Sequence, residues 1–161
     1  ENSAMVLGGK KNNAFVTWSE LISKDLIATR VSAIQIRLNA GTKINNKYFA
    51  FAGGIFADST LPTTVYVFDE NGSAISGVQA LTTPKLNPSA INLGKFGIFA
   101  GGRDNNHNPY STADVYDKNL VKLSGVGGLA ESSYYAPASA SIGNYAFFGN
   151  TVISTYKQTT V

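Results

Sequence analysis

The stretch "KYFAFAGG" (residues 47–54) returns as "KFGIFAGG" at 95–102, altered at only three of its eight positions. Self-similarity at a fixed distance decides the fold before local propensity does, because each repeat is one supersecondary unit that buries its apolar face against the next. Two looser versions stand further out, "AMVLGG" (4–9) and "NYAFFGN" (144–150). The glycine motifs therefore fall at 8–9, 53–54, 101–102 and 149–150. Gly9 to Gly54 is 45 residues, Gly54 to Gly102 is 48, and Phe99 to Phe148 is 49. That period lies in the range of roughly 40–50 residues expected for the blades of a propeller.

A second phrase keeps the same distance. "TVYVFDENG" (64–72) matches "TADVYDKNL" (112–120), aligning Phe68 with Tyr116, Asp69 with Asp117 and Asn71 with Asn119. In the outer repeats "AFVTWSE" puts Trp18, and "TVISTYKQ" puts Tyr156, in the aromatic position. Alanine-marked segments precede the later glycine phrases: "VSAIQIRL" with Ala33, "PSAINLG" with Ala90 and "PASASIG" with Ala138. Each repeat thus reads as four short strands. The first carries the alanine, the second ends in glycine, and the third ends in aromatic-Asp. The fourth follows a turn such as Asp69-Glu70-Asn71-Gly72, whose residues favour hairpins. The amphipathic stretch "SELISKDLIATR" (19–30) falls where the repeat calls for turn and strand, not helix. "NAGTKINN" (39–46) reads as an inserted loop.

Composition agrees with an all-β chain. Apolar residues make up 43% and charged residues 14%, enough for a packed core. Net charge is +3, with seven Lys/Arg against three Asp/Glu in the first fifty residues, but these are scattered. They read as a solvated face rather than a nucleic-acid patch. There is no cysteine, which excludes disulfides, thiolate metal sites and cysteine nucleophiles. No apolar run approaches the roughly 18 residues of a spanning helix. "ENSAMVLGGKK" lacks the basic-then-apolar layout of a secretory leader.

Together the paired glycines and the aromatic-Asp that follows them resemble the kelch repeat, a four-stranded blade of a β-propeller. Gly53-Gly54 with Phe68-Asp69, and Gly101-Gly102 with Tyr116-Asp117, carry the likeness. The tryptophan usual in the fourth strand of that family is absent. The wording "STADVYDKNL…SIGNYAFFGN" looks most like kelch-type arrays of bacterial and bacteriophage surface or tail proteins. The resemblance implies residues 1–161 form a partial kelch-like β-propeller, about 3–4 four-stranded blades with the first and last incomplete, where closed propellers have about 4–8. Another chain or further blades would then close it. It also implies an extracellular, virion or cell-surface setting.

Function is sought where the repeats differ, because the repeated residues are scaffold. The loop between strands two and three and the connection to the next blade share one face. The first is long in the middle repeats, "IFADSTLPT" (55–63) and "RDNNHNPYS" (103–111), and reads as shorter by about five and nine residues in the outer ones. Arg103, Asp104, Asn105, His107 and Tyr110 of the second loop, Asp58 of the first, Tyr134 of "LAESSYYAP" (129–137) and Arg30 are the candidate ligand-binding residues. They offer directional hydrogen bonds and flat rings suited to a protein or glycan. No catalytic or metal-binding set and no cofactor motif is found. One histidine leaves few ligands, and no Gly-rich loop opens a helix. The expectation is a non-catalytic binding module. The alternatives are a structural assembly element that completes a propeller with another chain, and a carbohydrate-active enzyme using carboxylates among Asp58, Asp104, Asp114 and Glu131.

Overall fold

The computed structural model describes residues 3–16, 18–32, 34–150 and 154–157. All the regular structure among them is strand, so no helix is long and apolar enough to cross a membrane. In chain order the strands are β1 (Ala4–Val6), β2 (Lys10–Lys11), β3 (Ala14–Phe15), β4 (Ser19–Ile22) and β5 (Ala28–Ser32). Next come β6 (Ile36–Ile44), β7 (Tyr48–Phe56), β8 (Tyr66–Phe68), β9 (Ala74–Ile75), β10 (Ser89–Leu93), β11 (Phe96–Ala100) and β12 (Ala113–Tyr116). The last are β13 (Ala138–Ile142), β14 (Tyr145–Asn150) and β15 (Ser154–Lys157). They form antiparallel sheets in the orders β1-β4-β5, β6-β7-β8-β9, β10-β11-β12 and β13-β14-β15, with β2-β3 a separate hairpin.

The repeat seen in the sequence is the repeat of the sheets. β7 and β11 carry the two glycine phrases, and their partners register alike: Phe51 faces Tyr66 and Phe99 faces Asp114. Alternate side chains of each strand point to opposite faces, so each of the two inner sheets buries one row forward and one row back. Between the first two sheets lie Leu7, Ile36, Phe49, Phe51 and Phe68. Between the second and third lie Ile44, Ala50, Ala52, Val65, Val67, Leu81, Phe99 and Tyr116. Between the third and fourth lie Ile91, Leu93, Ile98, Ala100, Val115, Leu129, Ala146 and Phe148. Edge-to-face pairs recur at the same 48-residue distance, Phe51–Phe68 at 6.3 Å and Phe99–Tyr116 at 6.2 Å. Each adds about 0.5–1.5 kcal/mol beyond its buried area.

The first strands of the sheets are neighbours. Asn92 Nδ2 donates to Lys43 O at 2.8 Å, and Ser139 Oγ donates to Ala90 O at 3.2 Å. Crowding there explains the small residues. Gly41, Ala90 and Ser139 lie opposite Phe51, Phe99 and Phe148 in the ladders. A Cβ on Gly41 would sit 2.6 Å from the Phe51 ring. Gly41, not an alanine, is therefore the small residue of the second sheet; Ala33 lies outside the described residues.

The paired glycines have a steric cause. Gly53, Gly54, Gly101 and Gly102 all have φ between 68° and 96°, a region that costs other residues energy. A Cβ on Gly54 would lie 2.6 Å from Arg37 O, and one on Gly102 2.5 Å from Leu86 O.

The Asp of the aromatic-Asp phrase closes a turn. Asp69 Oδ1 accepts the N–H groups of Asn71 and Ser73; Asp117 Oδ1 accepts those of Asn119 and Val121. The first repeat does the same with Ser23, whose Oγ accepts the N–H groups of Asp25 and Ile27. The fourth residue of each turn has positive φ: Leu26, Gly72 and Leu120.

This corrects the expected register. Ile22, not Trp18, corresponds to Phe68 and Tyr116, and the third strand of the first repeat is β4. The loop after Gly9 is then nearly as long as its counterparts rather than five residues shorter, and the β2-β3 hairpin stands in it. "SELISKDLIATR" is turn and strand, as the repeat required. "NAGTKINN" is not an inserted loop: it is mostly β6, which ends at Ile44. β6 passes through a positive-φ residue at Leu38 (φ 59°), yet its register against β7 is unbroken from Arg37–Ile55 to Asn39–Gly53. The fourth strand is reduced, to two residues in β9 and to an isolated Tyr116–Lys122 bridge in the third sheet.

Candidate functional site

The loop after β11 is fixed by its own first acid. Asp104 Oδ1 accepts the Asn108 N–H at 2.8 Å and Oδ2 accepts the Asn108 side-chain amide at 2.7 Å. These bonds, the Asn108 side chain first, hold the Asp104 carboxyl below its ordinary range. His107 takes the positive-φ place in the turn, φ 68°. Arg103 exchanges backbone hydrogen bonds with Leu86 at 2.8 and 3.0 Å, tying the loop to the connection that precedes β10. Tyr110 O accepts the Ser133 N–H at 3.0 Å, tying its other end to the connection that precedes β13.

Those two ties bring residues distant in sequence into one group. The His107 and Tyr134 rings stack with centroids 5.7 Å apart and planes within 8°. The Tyr134 hydroxyl is in hydrogen-bond contact with His107 Nδ1. The Arg103 guanidinium carbon lies 5.2 Å from the Tyr134 ring centroid, within cation–π range. Tyr135 packs edge-on to Tyr134 at 4.6 Å and is 57% exposed. Arg103 Nη1 donates to Asp104 O, while its buried Nε has no hydrogen-bond partner among the described residues. Asn105 Nδ2 donates to Ser59 O at 3.2 Å, linking the group to the loop after β7. There Asp58 Oδ1 accepts from the Thr60 hydroxyl and N–H, which lowers its pKa.

Arg103, Asp104, Asn105, His107, Tyr110 and Tyr134 are thus one neighbourhood, with the Asp58 loop beside it. Arg30 is not part of it. It lies on β5, not on a connection between sheets, with its guanidinium 4.3 Å from the Trp18 ring centroid.

Beneath this surface is a polar cluster that sequence reasoning missed. Lys85 and Asp114 are 0% and 1% exposed. Lys85 Nζ reaches Asp114 Oδ2 at 3.3 Å and Thr112 Oγ1 at 3.0 Å. Asp114 Oδ1 accepts from Thr82 N, from Thr82 Oγ1 at 2.6 Å and from Lys122 Nζ at 2.8 Å. Burial pushes Asp114 up, but the hydrogen bonds of Lys122 and Thr82 and the charge of Lys85 outweigh it and hold its pKa below the ordinary carboxylate value. Burial pushes Lys85 down against the pull of Asp114. The cluster clamps residues 82–85 to β12, and so positions Leu86, the partner of Arg103. A signal existed: Asp114 stands where the neighbouring repeat has Tyr66.

The carboxylates considered for hydrolysis are largely committed. Asp114 is buried and paired, and Asp58 and Asp104 accept from their own loops; Glu131 is exposed. Among the described residues no group of three or more His, Asp or Glu could hold a metal ion. A separate cavity of about 430 Å³ lies beside β1, lined by Met5, Leu7, Asn39, Phe49 and Phe51 among others.

No family model matches the chain, and the search of curated proteins found no match. Among solved structures it is similar to that titled "Structure of YjhT". The TM-score is 0.66 at 12% identity, covering 90% of this chain and 48% of that one. The chain therefore shares that fold and spans about half its length.

Proposed function

We propose that this chain is a kelch-like β-propeller segment and a non-catalytic module that binds protein or glycan through the face bearing Arg103, His107 and Tyr134. The observation that carries the reading is the Arg103–His107–Tyr134–Tyr135 group. It is a group of rings, His107 and Tyr135 exposed and Tyr134 half-buried, beside a guanidinium, held by backbone ties to two connections and a buried ion-pair clamp. Flat aromatic surface with hydrogen-bonding edges suits the apolar face of a sugar or a peptide side chain. A preorganised group loses little conformational entropy on binding. The kelch reading is supported by the phased glycines, the repeated side-chain-closed turns and the series of packed antiparallel sheets. Its likeness to bacterial and phage surface arrays favours a cell-surface or virion setting.

The test is a screen of glycan and bacterial cell-surface arrays with the wild-type chain and the Arg103→Ala, His107→Ala and Tyr134→Ala variants. Binding that weakens in these variants while their melting temperatures hold supports the site. A ligand bound equally by all three removes it.

A further inference from the structure

The β2-β3 hairpin stands in the first repeat where the third has the Arg103 loop, and it is basic. Asn12 (φ 48°) and Asn13 (φ 64°) both have positive φ, the backbone of a tight two-residue turn. The base of the hairpin is anchored: Gly9 N donates to Ile36 O at 2.8 Å, and Val16 N donates to Gly9 O at 3.0 Å. Lys10 faces Phe15 across the ladder, so the two side chains share one side of the hairpin. The Arg37 guanidinium carbon, from β6, lies 5.5 Å from the Phe15 ring centroid, within cation–π range. Lys10 and Lys11 are exposed; Phe15 and Arg37 are half-buried. The segments that meet here, 2–19 and 26–57, contain no Asp or Glu. The ion pairs among the described residues use Lys24, Lys85 and Lys122, and none of these three cations. The buried Arg37 Nε has no hydrogen-bond partner among the described residues. A half-buried guanidinium without an acceptor is costly, and an anion supplied from outside would offset that cost.

We infer that the hairpin and Arg37 form a second binding surface, for the carboxylate or sulfate groups of an acidic polysaccharide. Arg37 Nε is sealed from solvent, so its Nη pair receives one anionic group end-on, two donors matching two oxygens. Lys10 takes a neighbouring anionic group, and Phe15, adjacent to both cations, offers an apolar contact to a sugar ring. This surface is separate from the Arg103–His107–Tyr134 group and does not depend on it. The chemistry favours a polysaccharide over a nucleic acid. Lys10, Lys11 and Arg37 are fewer cations than the roughly 6–10 phosphate contacts that give strong salt-dependent nucleic-acid binding. Asp58 and Asp104, in the matching loops of the next two repeats, would repel a long polyphosphate laid across that face. The basic residues are scattered in sequence; the Gly9–Ile36 tie brings the hairpin lysines to Arg37.

The experiment is calorimetric titration of the purified 161-residue chain at low and high salt. The probes are a polyuronate oligosaccharide, a sulfated one, a neutral one of equal length and a single-stranded oligonucleotide. The account predicts binding of an acidic oligosaccharide that weakens with salt and no binding of the neutral one; the tighter acidic probe identifies the anionic group. Arg37→Gln should weaken that binding about tenfold or more, as for a lost charge-assisted hydrogen bond. Lys10→Glu should weaken it about fivefold, the upper range for an exposed pair. Tyr134→Ala should leave it unchanged. The proposal is overturned if neither acidic probe binds at low salt, if the neutral probe binds equally, or if Lys10→Glu has no effect. Oligonucleotide binding as tight as that of the acidic probes also overturns it. A loss in Tyr134→Ala as large as that in Arg37→Gln would move the anion to the other group and remove this surface. Failure at the hairpin alone leaves the Arg103 group to its own test. Should Arg37→Gln unfold by circular dichroism, Lys10→Glu decides, because Lys10 is exposed.

Discussion

The second and third sheets are near-copies that part company at two places. Gly53-Gly54 and Gly101-Gly102, Phe51–Phe68 and Phe99–Tyr116, Asp69 and Asp117 occupy matching positions with matching contacts. At the position of Tyr66, however, the third sheet has Asp114, buried with Lys85 and also paired with the half-buried Lys122. Where the second sheet's loop runs 55–63 with no histidine or arginine, the third has Arg103 and His107 against Tyr134. The difference teaches that the shared positions satisfy backbone and core, while the unshared ones build a clamp and the surface above it.

The clamp should give the largest asymmetry. Asp114→Ala leaves Lys85 buried without its carboxylate and is expected to cost about 3–5 kcal/mol. Tyr66→Ala, at the half-buried matching position, should cost less; urea unfolding of both variants compares them. The clamp also carries a pH signature. Because the folded-state pKa of Asp114 is lowered, the unfolded chain binds its proton first. Its stabilisation is complete well above the unfolded value of about 3.9 and drains as pH falls below it. In Asp114→Asn that part of the acid loss should vanish from a pH series of melting curves. An unchanged slope below pH ~4 would mean the pair contributes nothing.

The scaffold positions should respond equally in the two sheets. Gly54→Ala and Gly102→Ala each force a side chain into a positive-φ site against a carbonyl and should cost about 1–3 kcal/mol of backbone strain or more. A marked inequality would break the equivalence of the repeats. Smaller still are Asp69→Ala and Asp117→Ala, expected at about 1 kcal/mol each for the lost turn hydrogen bonds. Ser23→Ala should sit at the low end of the same scale, and a null effect there would undo the corrected register of the first repeat.

What was legible in the sequence follows from this. The glycines, aromatics and turn carboxylates recur because backbone geometry demands them in every sheet, so they could be read. The first repeat was misread at Trp18 because its turn uses Ser23 and Leu26 where the others have Asp69 with Gly72, or Asp117. The second half of β6 reads as a loop because its polar run (39–46) and the positive-φ Leu38 hide the alternation of a strand. Lys85, in a Thr- and Pro-rich connection, gives no local hint of burial; its partner is 29 residues away. The loop residues 103–110 were picked out by failing to repeat. Their contact with Tyr134 crosses 27 residues and exists only once the connection before β13 is laid over the loop.

The central claim is that ligands are held by the unshared surface and not by the scaffold. Its most direct measurement is the dissociation constant of the strongest screening hit for wild type, Tyr134→Ala and Lys47→Ala, the last on an exposed turn of the opposite face. Loss of the ring that bears the stack should weaken binding at least tenfold, about 1.4 kcal/mol, while Lys47→Ala leaves it unchanged. Equal affinity for wild type and Tyr134→Ala, or a loss confined to Lys47→Ala, would contradict it.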